Sequence, residues 1–84
     1  MNEQKADRYA CYLKDLGTLI KESALEAKEI AGNEEPGSDA FHLEAERLMA
    51  FNEVISIMQQ QARGFLMTLE ELDLHDIKPD QDLV

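Results

Sequence analysis

The sequence predicts an all-α protein: an antiparallel hairpin of two long helices that dimerises into a four-helix bundle. Apolar residues recur on a seven-residue repeat in both halves of the 84-residue chain, and a loop containing glycine and proline separates the halves. Residues 54–69 hold a single charged side chain, Arg63, and so are expected to be covered. Because a chain this short buries only about 60 % of its unfolded surface, a second copy would add to a small core.

The charge of the chain is strongly negative and unevenly placed. The net charge of −10 comes from 18 acids and 8 bases, of which 6 acids and 5 bases lie in residues 1–31 and 12 acids and 3 bases follow. Binding to nucleic-acid phosphates or to anionic lipid requires the opposite sign. We therefore expect neither direct nucleic-acid binding nor a membrane partner.

Cysteine content and the N-terminus favour a cytoplasmic protein. Cys11 is the single cysteine, so no disulfide can form within the chain. Residues 1–9 are polar and mixed in charge, unlike the apolar region of a signal peptide. A free thiol fits a reducing compartment.

The first helix is predicted over about residues 3–31, with Asn2 as its N-cap. Tyr12 and Leu19 widen its apolar stripe beyond a two-stranded seam, which favours a bundle. Gly17 lies inside the pattern, and two explanations remain open: a tolerated cost of about 1 kcal/mol, or close approach of another helix backbone. The seam positions are Ala6, Tyr9, Leu13, Leu16, Ile20, Ser23, Ala27 and Ile30.

Residues 32–38 are predicted to form the loop. Gly32 is placed as a left-handed helix C-cap, and Pro36 cannot continue the helix. Ser38 or Asp39 then caps the second helix. A loop this short favours an antiparallel neighbour.

The second helix is predicted over about residues 39–70. Its heptad positions are Phe41, Leu48, Phe51, Ile55, Met58, Ala62, Phe65, Leu69 and Leu72, and further apolar residues lie off this stripe at Met49, Val54, Ile57, Leu66 and Met67. A helix that is apolar on more than one side needs more than one neighbour. We therefore predict a dimer interface made of Phe51, Val54, Ile55, Met58, Ala62, Phe65, Leu66 and Leu69.

The end of the second helix has two interpretations. Thr68 and Glu71 have the spacing of a capping box, and Gly64 precedes them, which would fit a break and a short third helix. Leu69 and Leu72 nevertheless stay in heptad phase, so we predict that the helix continues. The helical domain is placed at residues 1–74 and a flexible acidic tail at residues 75–84.

The chain offers little for catalysis or metal binding. His42 and Glu46 lie four residues apart near Glu44, but a bundle metal site needs paired Glu-x-x-His motifs from facing helices. Cys11 and His42 fall at distant points of a hairpin, which excludes a thiol nucleophile with its base. We expect a protein that is not an enzyme and has no cofactor or metal.

The remaining feature is acidity toward the loop and the C-terminal end, at Glu34, Glu35, Asp39, Glu70, Glu71, Asp73 and Asp76. These residues are either solvated ends or a docking surface for a basic protein. We expect a protein that acts through protein–protein contact, as an adaptor, a chaperone or a neutralising partner. The alternative is an acidic inhibitor that imitates nucleic acid in the basic cleft of a nucleic-acid-binding protein.

Overall fold

A computed structural model describes residues 3–84 and is helical throughout its regular structure. Helix α1 (Glu3–Asn33) packs along helix α2 (Asp39–Gly64), and residues 34–38 join them. A 3₁₀ helix (Leu69–Leu72) and the single-turn helix α3 (Pro79–Asp82) follow. No strand occurs among residues 3–84. The predicted all-α helical hairpin is confirmed.

The loop differs from the prediction in its glycine. Gly32 lies within α1, which ends at Asn33, and the glycine with positive φ is Gly37, at 86°. Ser38 is the N-cap of α2, since its hydroxyl oxygen accepts a hydrogen bond from the Phe41 amide at 3.1 Å. Asp39 is then the first helical residue. The Asn2 cap lies outside the described residues.

Helix α2 ends at Gly64, so the prediction that it continues to about residue 70 was wrong. The Met67 amide donates to the Ala62 carbonyl at 2.8 Å, and Leu66 has a left-handed backbone with φ of 59°. Thr68 and Glu71 form the capping box that opens the 3₁₀ helix. The chain reversal is favoured over a continued helix because it returns Leu72, Leu74 and Ile77 to the hairpin, where their side chains are buried.

Residues 73–84, which we call the C-terminal strap, lie across both long helices. The prediction of a flexible acidic tail is therefore corrected: Leu74, Ile77 and Leu83 are buried in the core. Polar contacts join the beginning of the strap to Thr18 and its end to Lys28. The strap thus runs in the same direction as α1, toward the loop.

The core lies where α1, α2 and the strap meet. Its buried members are Ala24, Leu48, Ile55, Ala62, Leu72, Leu74, Ile77 and Leu83. Alanines on α1 leave room for the strap, since a small side chain lets neighbouring elements approach closely. Within residues 3–84, none of the helices combines the length and hydropathy needed to cross a bilayer.

Candidate interaction surfaces

Gln59 fixes the middle of the strap from its position on α2. Its side-chain amide donates from Nε2 to the carbonyl oxygens of Leu74 at 3.0 Å and Ile77 at 2.9 Å. The side chain is buried, so these carbonyls depend on Gln59 for their hydrogen bonds. One amide thereby holds both sides of the bend at His75 and Asp76.

Two further side chains bind the backbone of the strap. Asn52 on α2 donates from Nδ2 to the Pro79 carbonyl at 3.0 Å, and Lys28 on α1 donates from Nζ to the Asp82 carbonyl at 2.6 Å. Hydrogen bonds to backbone carbonyl oxygens do not depend on the side chain of the residue that carries the carbonyl. The groove between α1 and α2 therefore holds the strap largely through its backbone, including the helical turn of α3.

An ionic cluster joins the start of the strap to α1. Lys21 Nζ lies 3.2 Å from Asp73 Oδ2 and 2.9 Å from Asp76 Oδ1, and the Thr18 hydroxyl donates to Asp73 at 2.6 Å. The hydrogen bonds from Thr18 and Lys21 lower the pKa of Asp73, and that from Lys21 lowers the pKa of Asp76. Partial burial opposes the charge of Lys21, but its bonds to Asp76 and Asp73 raise its pKa overall.

The same region contains ligand-type groups that sequence reasoning did not bring together. Oxygen or nitrogen atoms of Asp73, His75 and Asp76 lie within 4.8 Å of one another. The Lys21 ammonium already contacts both carboxylates. Its positive charge opposes a metal ion at this position, and the cluster serves as an ion pair that anchors the strap.

The structure divides the eight residues predicted for the dimer interface. Ile55 is 0 % exposed and Ala62 is 3 % exposed, so both belong to the intramolecular core, and their assignment to an interface was wrong. The half-buried side chains of Phe51, Met58 and Leu69 pack against that core. The other three residues, Val54, Phe65 and Leu66, are exposed. Within the chain, the core formed with α1 and the strap therefore covers Ile55 and Ala62 but leaves Val54, Phe65 and Leu66 open to solvent.

A second apolar side of the hairpin has no cover. We call it the uncovered face and define it by the exposed or half-buried residues Tyr12, Leu16, Leu19, Ile30, Leu43, Phe51, Val54, Ile57, Met58 and Phe65. At about 100° per residue, these positions on each helix point away from the strap side. Leu13 of α1 shares an apolar groove with Ile57 and Phe65, which joins the stripes of the two helices.

The uncovered face is almost free of charge. On α2 its one charged side chain is Arg47, which donates to Glu44 at 2.7 Å and lies 5.8 Å from the centre of the Phe51 ring. On α1, Lys5 and Glu26 continue the seven-residue repeat of Tyr12 and Leu19, so one base and one acid lie at the edge of the face, whereas its centre at Leu16, Ser23 and Ile30 carries no charge. A face with so few acids is a marked local departure on a protein of net charge −10.

The predicted acidic surface is not continuous. Glu34, Glu35 and Asp39 lie at the hairpin loop, whereas Glu70 and Glu71 lie beside Ala6 and Ala10 at the opposite end. The remaining two predicted residues, Asp73 and Asp76, are paired with Lys21. Two separate acidic clusters therefore remain, one at each end of a molecule 53 Å long.

An apolar groove lies at the start of α1, where the chain reverses after α2. Ala6, Tyr9, Ala10, Leu13 and Met67 contribute to its walls, and its volume is about 640 Å³. The exposed Cys11 is at its edge. The groove exists because α2 stops at Gly64 and does not continue along these turns of α1.

Sequence reasoning missed the residues that hold the strap: Thr18, Lys21, Lys28, Asn52 and Gln59. Their partners are mostly backbone carbonyls 15 or more residues away, which leave no pattern in the sequence. The one available signal was a run of glutamines inside an uncharged stretch. Comparison of the chain with protein-family models, with curated proteins and with solved structures gives no match.

Proposed function

We propose that this protein is not an enzyme and acts through protein–protein contact, with a second copy docking on the uncovered face to form a four-helix bundle. The observation that carries the proposal is the lack of carboxylates along the centre of that face. Two copies with a charge of −10 each repel one another, and they can approach only where acids do not meet. The α2 part of the uncovered face meets this condition, and the α1 part meets it along its centre, with Glu26 at the edge.

The size of the face also supports self-association. Its residues run from Tyr12 to Ile30 on α1 and from Leu43 to Phe65 on α2, along most of a molecule that is 53 Å long. A stable interface buries about 800 Å² on each partner. Aromatic residues, which are enriched at such interfaces, lie along the face at Tyr12, Phe51 and Phe65.

The proposal of a non-enzymatic role rests on how the buried polar groups are used. In the part of the chain whose side chains are described, every buried side-chain nitrogen or oxygen has a hydrogen-bond partner. The best-placed polar side chain, Gln59, is committed to the strap. A free, exposed Cys11 fits a reducing compartment and supports a cytoplasmic location.

The acidic clusters are proposed as docking points for a basic protein, consistent with an adaptor, a chaperone or a neutralising partner. Glu34, Glu35 and Asp39 form the cluster at the hairpin loop, outside the residues that define the uncovered face. Imitation of nucleic acid would need acids in a continuous row, whereas these clusters lie at opposite ends of the molecule. The role as a docking protein is therefore favoured over nucleic-acid mimicry.

The test of self-association is absolute mass by light scattering across a dilution series. The native chain is expected to give twice its 9.5 kDa mass at high concentration, and Ile57→Glu is expected to give the monomer mass while remaining helical. Met49→Glu is the matched control, since Met49 is also an exposed apolar residue of α2 but lies beside Leu83 on the strap side. A folded native monomer at every concentration would refute the proposal.

A further inference from the structure

We propose that the groove between α1 and α2 also accepts the C-terminal strap of a second copy, so that two chains exchange residues 73–84. This exchange does not depend on the uncovered face. It rests on three features of the fold: a groove that binds backbone, a strained turn after α2, and an unfilled apolar groove in line with that helix.

The first feature is the way in which the strap is held. Gln59, Asn52 and Lys28 donate to its carbonyl oxygens, and Lys21 pairs with its carboxylates. A strap arriving from an identical chain presents the same atoms. The groove therefore binds it with the same set of contacts, which is the condition for exchange of an element between protomers.

The second feature is the turn formed by residues 65–68. Leu66 has a left-handed backbone that branched residues rarely adopt, and its side chain is 93 % exposed. Phe65 beside it is 74 % exposed. A helical conformation at these two residues would remove the left-handed backbone, so the turn has an unstrained alternative.

The third feature is the continuity of the helical pattern across the turn. Leu69 follows Ala62 by seven residues and Ile55 by fourteen, so an uninterrupted α2 would place Leu69 on the face that contacts α1. That extension would run beside the first turns of α1, where Ala6, Tyr9 and Ala10 are exposed. It would fill the 640 Å³ groove described above.

Straightening of the turn forces the exchange. In a helix that continues past Gly64, residue 73 would lie about 13 Å beyond Gly64 along the helix axis. It would then be far from Gly17, which Leu72 contacts in the present structure. The strap could not return to the groove of its own chain. Two straightened chains can each fill the groove of the other, and all strap contacts are kept.

The test uses the native Lys21–Asp76 pair as a reporter. A carbodiimide joins an amine to a carboxylate without a spacer, and these two groups lie 2.9 Å apart. Equal amounts of ¹⁵N-labelled and unlabelled protein are unfolded together, refolded and cross-linked. In the dimer fraction, a Lys21–Asp76 cross-link that combines a labelled and an unlabelled peptide is expected, because the two groups then come from different chains.

Two hinge variants shift the equilibrium between the monomer with the present turn and the exchanged dimer with a straight helix. Both carry Ile57→Glu, so that association through the uncovered face does not contribute. The double variant Gly64→Ala, Leu66→Ala favours the straight helix and is expected to shift the mass from 9.5 kDa to twice that value with mixed-isotope cross-links. Leu66→Gly favours the present turn and is expected to stay monomeric. Both sites are open to solvent, so these changes leave the core intact.

The outcomes separate the two proposals. If the double hinge variant remains a folded monomer, or if its dimer yields only cross-links within one isotope class, the exchange is refuted. A native dimer that Ile57→Glu abolishes, with unmixed cross-links, supports the uncovered face and refutes the exchange. A dimer of the double hinge variant that forms in the Ile57→Glu background and gives mixed cross-links supports the exchange.

Discussion

The backbone carbonyl of Leu72 packs directly against Gly17 in the middle of α1. A Cβ atom built on Gly17 would overlap the Leu72 carbonyl oxygen and lie 2.9 Å from its carbonyl carbon. Of the two explanations that the sequence allowed for this glycine, the structure supports close backbone approach, although the approaching backbone belongs to the 3₁₀ helix. This contact fixes the point at which the chain enters the groove.

Gly17→Ala is expected to destabilise the protein by about 1–3 kcal/mol, because a methyl group at this position must displace the backbone of Leu72. The measurement is urea unfolding followed by circular dichroism. Gly32→Ala is the control, since Gly32 is also in α1 and has open space around its Cβ position, so the better helix former should be neutral or stabilising. Equal effects of the two substitutions would contradict the close approach.

Gln59→Met is expected to lower the free energy of unfolding by about 1–3 kcal/mol. The substitution keeps the length of the side chain but leaves the carbonyls of Leu74 and Ile77 without their donor. Gln60→Met tests the same change at an exposed neighbour and should alter stability by less than about 0.5 kcal/mol. Both are measured by chemical denaturation, and the hydrogen-bonding role of Gln59 requires that the two values differ.

Leu83→Ala is expected to cost about 2–5 kcal/mol, as is usual when a buried leucine is truncated. Leu83 is 1 % exposed, whereas the next residue, Val84, is 76 % exposed. Val84→Ala should therefore leave the unfolding midpoint nearly unchanged. If Leu83→Ala were as mild as Val84→Ala, the end of the chain would be the flexible tail that the sequence predicted.

The cluster around Lys21 is expected to make stability depend on pH at both extremes. The pKa values of Asp73 and Asp76 are lowered in the folded state from 3.8, so their contribution is present above about pH 4 and is lost as the pH falls through the lowered values. The pKa of Lys21 is raised from 10.5, so its contribution is present below that value and is lost as the pH rises through the raised one.

The measurement is the free energy of unfolding from about pH 2 to pH 6 for the native chain and for Asp76→Asn. At the upper end of this range the native chain should be more stable than Asp76→Asn. The two curves of unfolding free energy against pH should converge as the pH falls. Thr18→Val is the companion variant, because it removes the hydrogen bond to Asp73 and leaves Asp76 paired with Lys21. Parallel curves across the whole range would show that the carboxylates contribute nothing through their charge.

Local patterns accounted for the parts of the fold that depend on near neighbours in sequence. The heptads of α1 and α2 and the Thr68–Glu71 capping pattern could be recognised, and the N-cap of α2 could be narrowed to Ser38 or Asp39, because each joins residues within one or two turns. Whether α2 continues or breaks at Gly64 could not be predicted from the sequence. Heptad phase favoured a continuous helix and the capping box favoured a break, and the sequence offers no measure of which is stronger.

The candidate site was accordingly predicted in part. Apolar excess on α2 was visible in residues 54–69, and in the structure α1 and the strap cover part of it while Val54, Ile57, Phe65 and Leu66 stay exposed. Its assignment to a second chain misplaced Ile55 and Ala62, which lie in the core that α2 forms with α1 and the strap. Leu74, Ile77 and Leu83 are spaced too irregularly to form a helix or strand pattern, so their burial could not be inferred from periodicity.

The sequence by itself determined the helical class, the hairpin and the strong negative charge, because each follows from residue types and spacings within a few turns. Tertiary structure alone decided that α2 stops at Gly64, that the C-terminal strap fills one side of the hairpin, and that the opposite side is left uncovered. Those outcomes depend on the contacts of Leu72 with Gly17 and of Gln59 with the strap backbone. Such contacts join residues far apart in the chain, and they contribute to the free energy of folding only after both packed surfaces have formed.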